Sequence, residues 1–160
     1  MNKISKLALL FLVVLMVTAC KKDIVRNDDG SLTVETTISQ QELQEVITSS
    51  IADPLVKNVT VSLQSSYVLV SGERQRLNDS SKTDTLTFRL DLSASNGQLV
   101  ATITNAQIDS VSIEQNRVDN WNQTIANRLA NFGKRSEKAT LQTISITPEL
   151  VIMSWKVTRQ

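Results

Sequence analysis

The chain has 160 residues, with 17 lysines and arginines against 16 aspartates and glutamates, one cysteine and no histidine. A near-neutral balance without a basic stripe argues against nucleic acid as a partner, and a lone cysteine excludes an intrachain disulfide. Without histidine there is no usual general base and no commonest metal ligand, so His-containing triads, Cys–His dyads and His-based zinc sites are excluded.

Lys3 and Lys6 precede an unbroken apolar run over residues 7–17. This is the charged-then-apolar pattern of an export signal, too short for the roughly 30 Å hydrocarbon core, which needs about 20 residues. The run ends in Val17-Thr18-Ala19-Cys20, an aliphatic residue, two small residues and the sole cysteine. In this the chain resembles bacterial lipoproteins, whose signal is cut before a cysteine that becomes the lipidated N-terminus. The resemblance implies a signal peptide over residues 1–19, forming a signal helix, and a Cys20 carrying acyl chains such as palmitate. It also implies a cell-envelope location on the extracytoplasmic side, with the membrane as a partner through that lipid anchor. Lys21 after the cysteine fits an outer-membrane destination in a two-membrane cell, or the outer face of the plasma membrane in a one-membrane cell.

Residues 20–36 are charged and turn-rich and read as the lipidated cysteine with a flexible tether. A calcium loop centred on Gly30 would begin at Val25 and end at Thr36, where carboxylates are needed, so no metal is expected. Residues 37–160 read as a single α+β domain. Ser39 and Glu42 form a capping box, Ile38 and Leu43 the matching staple, and Leu43, Val46, Ile47 and Ile51 one helical stripe. Asp53-Pro54 stops that helix, placing it at 39–52.

Strand patterns follow. Val59, Val61 and Leu63 alternate, Gln64-Ser65-Ser66 is a turn, and residues 67–71 are β-branched and aromatic. Gly72 marks a bulge or bend, and residues 77–82 read as a polar loop. Leu86, Phe88, Leu90 and Leu92 alternate with polar residues, and Asn96-Gly97 turns the chain into a strand bearing Leu99, Ala101 and Ile103. A second helix over 114–132 carries Val118, Trp121, Ile125, Leu129 and Phe132 on one stripe. Gly133, Lys134 and Arg135 suit its C-terminal end. Two strands around Thr147-Pro148-Glu149 close the chain, with Ile144 and Ile146 before the turn and Val151, Met153, Trp155 and Val157 after it. The hairpin after each helix is weakly similar to the other. The expected fold is α+β: two amphipathic helices on one curved antiparallel sheet of about six strands, in the order α-ββββ-α-ββ.

No G-x-S-x-G, phosphate-binding or dinucleotide-binding glycine motif occurs, nor Ser-x-x-Lys, and the scattered carboxylates Asp84, Asp91, Asp109 and Asp119 read as solubilising charge. The chain is therefore expected to be non-enzymatic, with no cofactor. Residues 67–70 and 150–153 offer large side chains to both faces of a strand, which calls for a covered second face, a cavity or a partner. The helix-then-curved-sheet order, over about residues 38–157, resembles the tubular lipid-binding (bactericidal/permeability-increasing-like) families. That resemblance implies an apolar ligand such as an acyl chain held between helix and sheet. Phe88, Trp121, Ile125, Leu129 and Met153 are the lining candidates. The alternative is a structural or protein-interaction lipoprotein of the envelope with no small-molecule ligand.

Overall fold

The computed structural model describes residues 24–133 and 137–158. The cleavage region with Cys20, the signal helix, and Lys134 and Arg135 lie outside the described residues. The chain is α+β with two helices, but its strands form two antiparallel sheets of four and five strands. The single six-stranded sheet is thereby corrected.

The first correction lies where the tether was expected. β1 (Ile24–Arg26) and β2 (Leu32–Ser39) form a hairpin before any helix. The turn is built by local chemistry: Gly30 takes φ 78°, its N–H donates to the Asn27 carbonyl at 3.0 Å, and Asp29 Oδ1 accepts from the Ser31 N–H at 3.0 Å. Thr36 sits at an inward position of β2, and its hydroxyl accepts from Trp155 Nε1 at 3.1 Å. A buried hydroxyl is tolerable when it is bonded in this way.

α1 (Gln40–Ser50) starts as its cap dictates. The Ser39 side chain accepts from the Glu42 N–H, the Glu42 carboxylate accepts from the Ser39 N–H at 2.8 Å, and Ile38 and Leu43 are fully buried. β3 (Val56–Leu63) and β4 (Val68–Arg76) follow. The register slips between Lys57 and Thr60, where Asn58 has φ 49°. Gly72 is the regular partner across from this bulge: a Cβ there would lie 3.4 Å from the Lys57 carbonyl oxygen and 3.5 Å from Val59 Cγ2. The irregularity expected at Gly72 therefore belongs to the neighbouring strand.

β5 (Asp79–Ser95) is longer than expected, because residues 77–82 do not form a loop. Only Leu77 and Asn78 turn, and pairing with β4 resumes at Asp79. Asn96 and Gly97, with φ 52° and 75°, make the two-residue hairpin turn into β6 (Gln98–Ile108), and Asp109 and Ser110, with φ 47° and 68°, lead into the short β7 (Val111–Ser112). Both positive φ values are what a type I′ turn demands. α2 (Gln115–Gly133) buries Val118, Trp121, Ile125 and Leu129, while Phe132, expected on the same stripe, is half exposed. β8 (Ala139–Ile146) and β9 (Leu150–Val157) end the chain.

The sheet orders are β1-β2-β9-β8 and β3-β4-β5-β6-β7. The chain is thus two hairpin–helix–hairpin units, and each unit's second hairpin pairs with the other unit's first: β4 with β5, and β9 with β2. Each helix carries the chain from one sheet to the other, and the helices pack on each other, α1 on β3 and α2 on β6. The sheets meet where Leu141 N–H donates to the Gly97 carbonyl at 2.8 Å and Ser66 N–H to the Ile146 carbonyl at 3.0 Å. One continuous apolar core runs between helices and sheets.

Candidate functional site

The five expected lining residues all lie in that core. Trp121, Ile125 and Leu129 point inward from α2 at helical spacing, Phe88 comes from β5 and Met153 from β9, and all are buried. The Phe88 and Trp121 rings meet with centroids 6.0 Å apart, tilted by 34°, inside the attractive range for aromatic pairs. The Arg117 guanidinium lies 5.3 Å from the Trp121 ring centroid. All five belong to the one buried apolar cluster.

A broad depression lies elsewhere, on the outer face of the five-stranded sheet. It is open to solvent, holds about 620 Å³ and is lined from β3, β4, β5 and β6. Strand alternation creates it: as Val61, Val70 and Phe88 turn inward, their neighbours turn out. Register then sorts these neighbours into rows across the sheet. One row is Ser62, Leu69 and Arg89; the other is Thr60, Ser71, Thr87 and Gln107. Between the rows Asn105, at φ 54°, projects from a bulge where Asn105 and Ala106 together oppose Phe88.

The side chains within this face are held by one another. Thr60 Oγ1 and Ser71 Oγ are 2.7 Å apart. The Arg89 guanidinium lies 4.2 Å from the Tyr67 ring centroid and its Nε donates to Asp91 Oδ2 at 2.8 Å. The Asp91 carboxylate raises the Arg89 pKa, fixing its charge. Leu69 stands between these polar groups and is 44% exposed. The lining therefore offers hydroxyls, amides, the Tyr67 ring with buried Phe88 beneath, one ion-paired guanidinium and one bare aliphatic side chain, and no carboxylate or thiol. Such a set suits reversible contact through hydrogen bonds and a small apolar centre.

Three other hollows are more polar or more peripheral. One of about 570 Å³ collects Arg76, Asp84, Asp109, Glu114 and Arg117 beside exposed Val111. One of about 390 Å³ lies at the junction of the sheets between Leu99, Ala126, Ala130, Ala139 and Trp155. One of about 400 Å³ sits between the helices at Val46, Arg128, Asn131 and Phe132. Trp121, Ile125, Leu129 and Met153 border none of the four, and only Phe88 touches the largest. Among the described residues no cluster of three or more Cys, Asp or Glu is placed to hold a metal ion.

Sequence reasoning reached this face only halfway. Residues 67–70 are two-sided in the sequence, and the signal for the bare side is Leu69, an aliphatic residue on the polar side of an alternating strand. Comparison with known proteins adds no assignment: no protein family, no curated protein and no solved structure matches this chain.

Proposed function

We propose that this chain is a lipid-anchored, non-enzymatic envelope protein, held on the extracytoplasmic side through Cys20, which binds a protein partner on the outer face of its five-stranded sheet. The observation that carries this is Leu69, an exposed aliphatic side chain at the middle of a structured polar depression on an otherwise solvated sheet face. Interfaces commonly pair a small desolvated apolar centre with a hydrogen-bonding rim, and Tyr67 and Arg89 are residue types enriched there. A photoreactive residue at position 69 of the membrane-anchored protein crosslinks to one envelope protein, and replacing Tyr67 by Ala removes the adduct. The same residue at exposed Asn120 on α2 gives no adduct. Equal crosslinking from positions 69 and 120 overturns the proposal.

A second reading is an apolar ligand held between helices and sheets; it would enter at the hollow at the sheet junction, where Leu99, Ala126, Ala130, Ala139 and Trp155 stand beside polar Gln98, Asn127 and Asn131. In this reading Phe88, Trp121, Ile125, Leu129 and Met153 must part to admit the ligand. A fluorescent fatty acid then binds the purified protein and Ala130→Phe blocks it; no uptake by the native protein disposes of this alternative.

A further inference from the structure

We infer that β1 is a lipid-contacting strand, so that the Ile24–Arg26 edge of the four-stranded sheet rests on the bilayer surface. The inference rests on the reading of Cys20 as the acylated residue. It starts from a length. The expected tether of residues 20–36 is mostly folded: pairing begins at Ile24, opposite Val34. The four residues from Cys20 to Ile24 reach at most about 14 Å when fully extended. The polar layer on one side of a bilayer is itself about 5–8 Å thick. Acyl chains on Cys20 therefore hold β1 at the headgroups or within about a nanometre of them.

What the fold places there is apolar. Ile24 is 61% and Val25 57% exposed. Successive strand residues point to opposite faces, so β1 presents an aliphatic side chain on both sides. β1 is also the end strand of its sheet. Such edges are ordinarily blunted by charge or proline, since bare apolar edges invite association. Against lipid, the same two side chains find an apolar phase, and exposed Arg26 beside them suits anionic headgroups. β1 has three residues, far short of the about 9–11 that a strand needs to cross a bilayer, so this contact is interfacial.

The test uses the processed full chain in vesicles of phosphatidylethanolamine and phosphatidylglycerol containing nitroxide-labelled lipid. Acylation consumes the only thiol, so the unfolded wild-type protein does not react with maleimide, and Val25→Cys or Leu77→Cys supplies a unique labelling position. Leu77, exposed in the β4–β5 turn, serves as the control. The expected result is a blue-shifted fluorophore at position 25 that nitroxide lipid quenches, and a solvated, unquenched one at 77. Inserting about twelve Gly and Ser residues between Cys20 and Ile24 lengthens the leash about fourfold and lowers contact at position 25 about eightfold, following the three-halves power of length. Equal quenching at 25 and 77, with wild type unreactive, overturns the inference while sparing the anchor. Shielding at 25 that depends on protein concentration and ignores nitroxide lipid means a second copy covers the edge, and overturns it too. A maleimide-reactive wild type removes the anchor and the inference together.

Discussion

Asp53 lies just beyond the end of α1 and ties three elements together. Its side chain is only 6% exposed and pairs with Arg74 of β4, Nε to Oδ2 at 2.9 Å, and with Arg117 of α2, Nη2 to Oδ2 at 2.5 Å. Its other oxygen accepts from the Leu55 N–H at 3.0 Å. Asp53→Asn keeps the shape and removes the charge. Breaking a fully buried pair from one side costs about 3–5 kcal/mol, but water reaches Arg74 and Arg117, so the expected loss is about 2–3 kcal/mol. With a urea m-value of about 2 kcal/mol/M, the unfolding midpoint falls by about 1–1.5 M. Fluorescence of the buried Trp121 and Trp155 reports the transition. The pH dependence provides a second check. Burial raises the Asp53 pKa, but hydrogen bonds from Arg74, the Leu55 N–H and Arg117 outweigh it, so the folded value lies below 3.8. A carboxylate depressed on folding stabilises above its unfolded pKa, and that stabilisation is lost as pH falls through the folded value. The gap between wild type and variant is thus full at pH 6 and closes below about pH 4. A loss under about 0.5 kcal/mol, the usual range of a surface substitution, or a gap unchanged down to pH 3, refutes the clasp.

Three further outcomes test the rest of the architecture. Thr36→Val leaves the buried Trp155 Nε1 donor without its acceptor, lowering stability by about 1–3 kcal/mol in urea unfolding, while Thr36→Ser loses less. Gly97→Ala meets two obstacles, a positive φ and a Cβ 3.2 Å from Thr140 Cβ; Thr140→Gly in the same chain relieves the contact but not the backbone strain of about 1–2 kcal/mol, so thermal unfolding shows partial rescue. Trp121→Ala removes the partner of Phe88 from a packed core and costs about 3–5 kcal/mol, whereas Leu69→Ala on the outer face stays within about 0.5 kcal/mol.

Local chemistry was legible in the sequence, and long-range pairing was not. The Ser39–Glu42 capping box, the Asn96-Gly97 turn and the alternation from Leu86 to Leu92 each depend on residues a few positions apart, and each is where it was expected. β2 was hidden because Thr36 occupies an inward position where an apolar residue would have announced a strand. Its acceptability depends on Trp155, 119 residues away. β5 was cut short for a related reason: Asp79 and Thr83 pair with Arg76 and Gln75 at an exposed end of the sheet, the three residues between them fall in a register irregularity, and polar composition there looks like a loop. The division into two sheets follows from β2 choosing β9 and β4 choosing β5, choices that no local pattern encodes.

The two-sided strands also acquire an explanation that bears on the site. In β9 the inward residues Val151, Met153 and Trp155 are buried, while Leu150 and Ile152 on the other face are half-buried at the edge of solvent. In β4, Val68 and Val70 enter the core and Leu69 is left bare. A single sheet curled around the helices would have left only its convex face in solvent. Two separate sheets with both helices between them instead bury one face of each and expose the other. Aromatic and Met residues on the inner faces then follow from core packing alone. A bare leucine held among ordered hydroxyls, Tyr67 and Arg89 does not, and neither do two aliphatic residues on an edge strand that starts four positions after Cys20, the proposed acylation site. These two features lie on different sheets, so the proposed bilayer contact and the proposed partner face use separate residues. Quenching at position 25 and crosslinking at position 69 should therefore occur together in the same membrane-bound molecule, and a label at 25 that loses its lipid contact when the partner binds would show that the two surfaces compete.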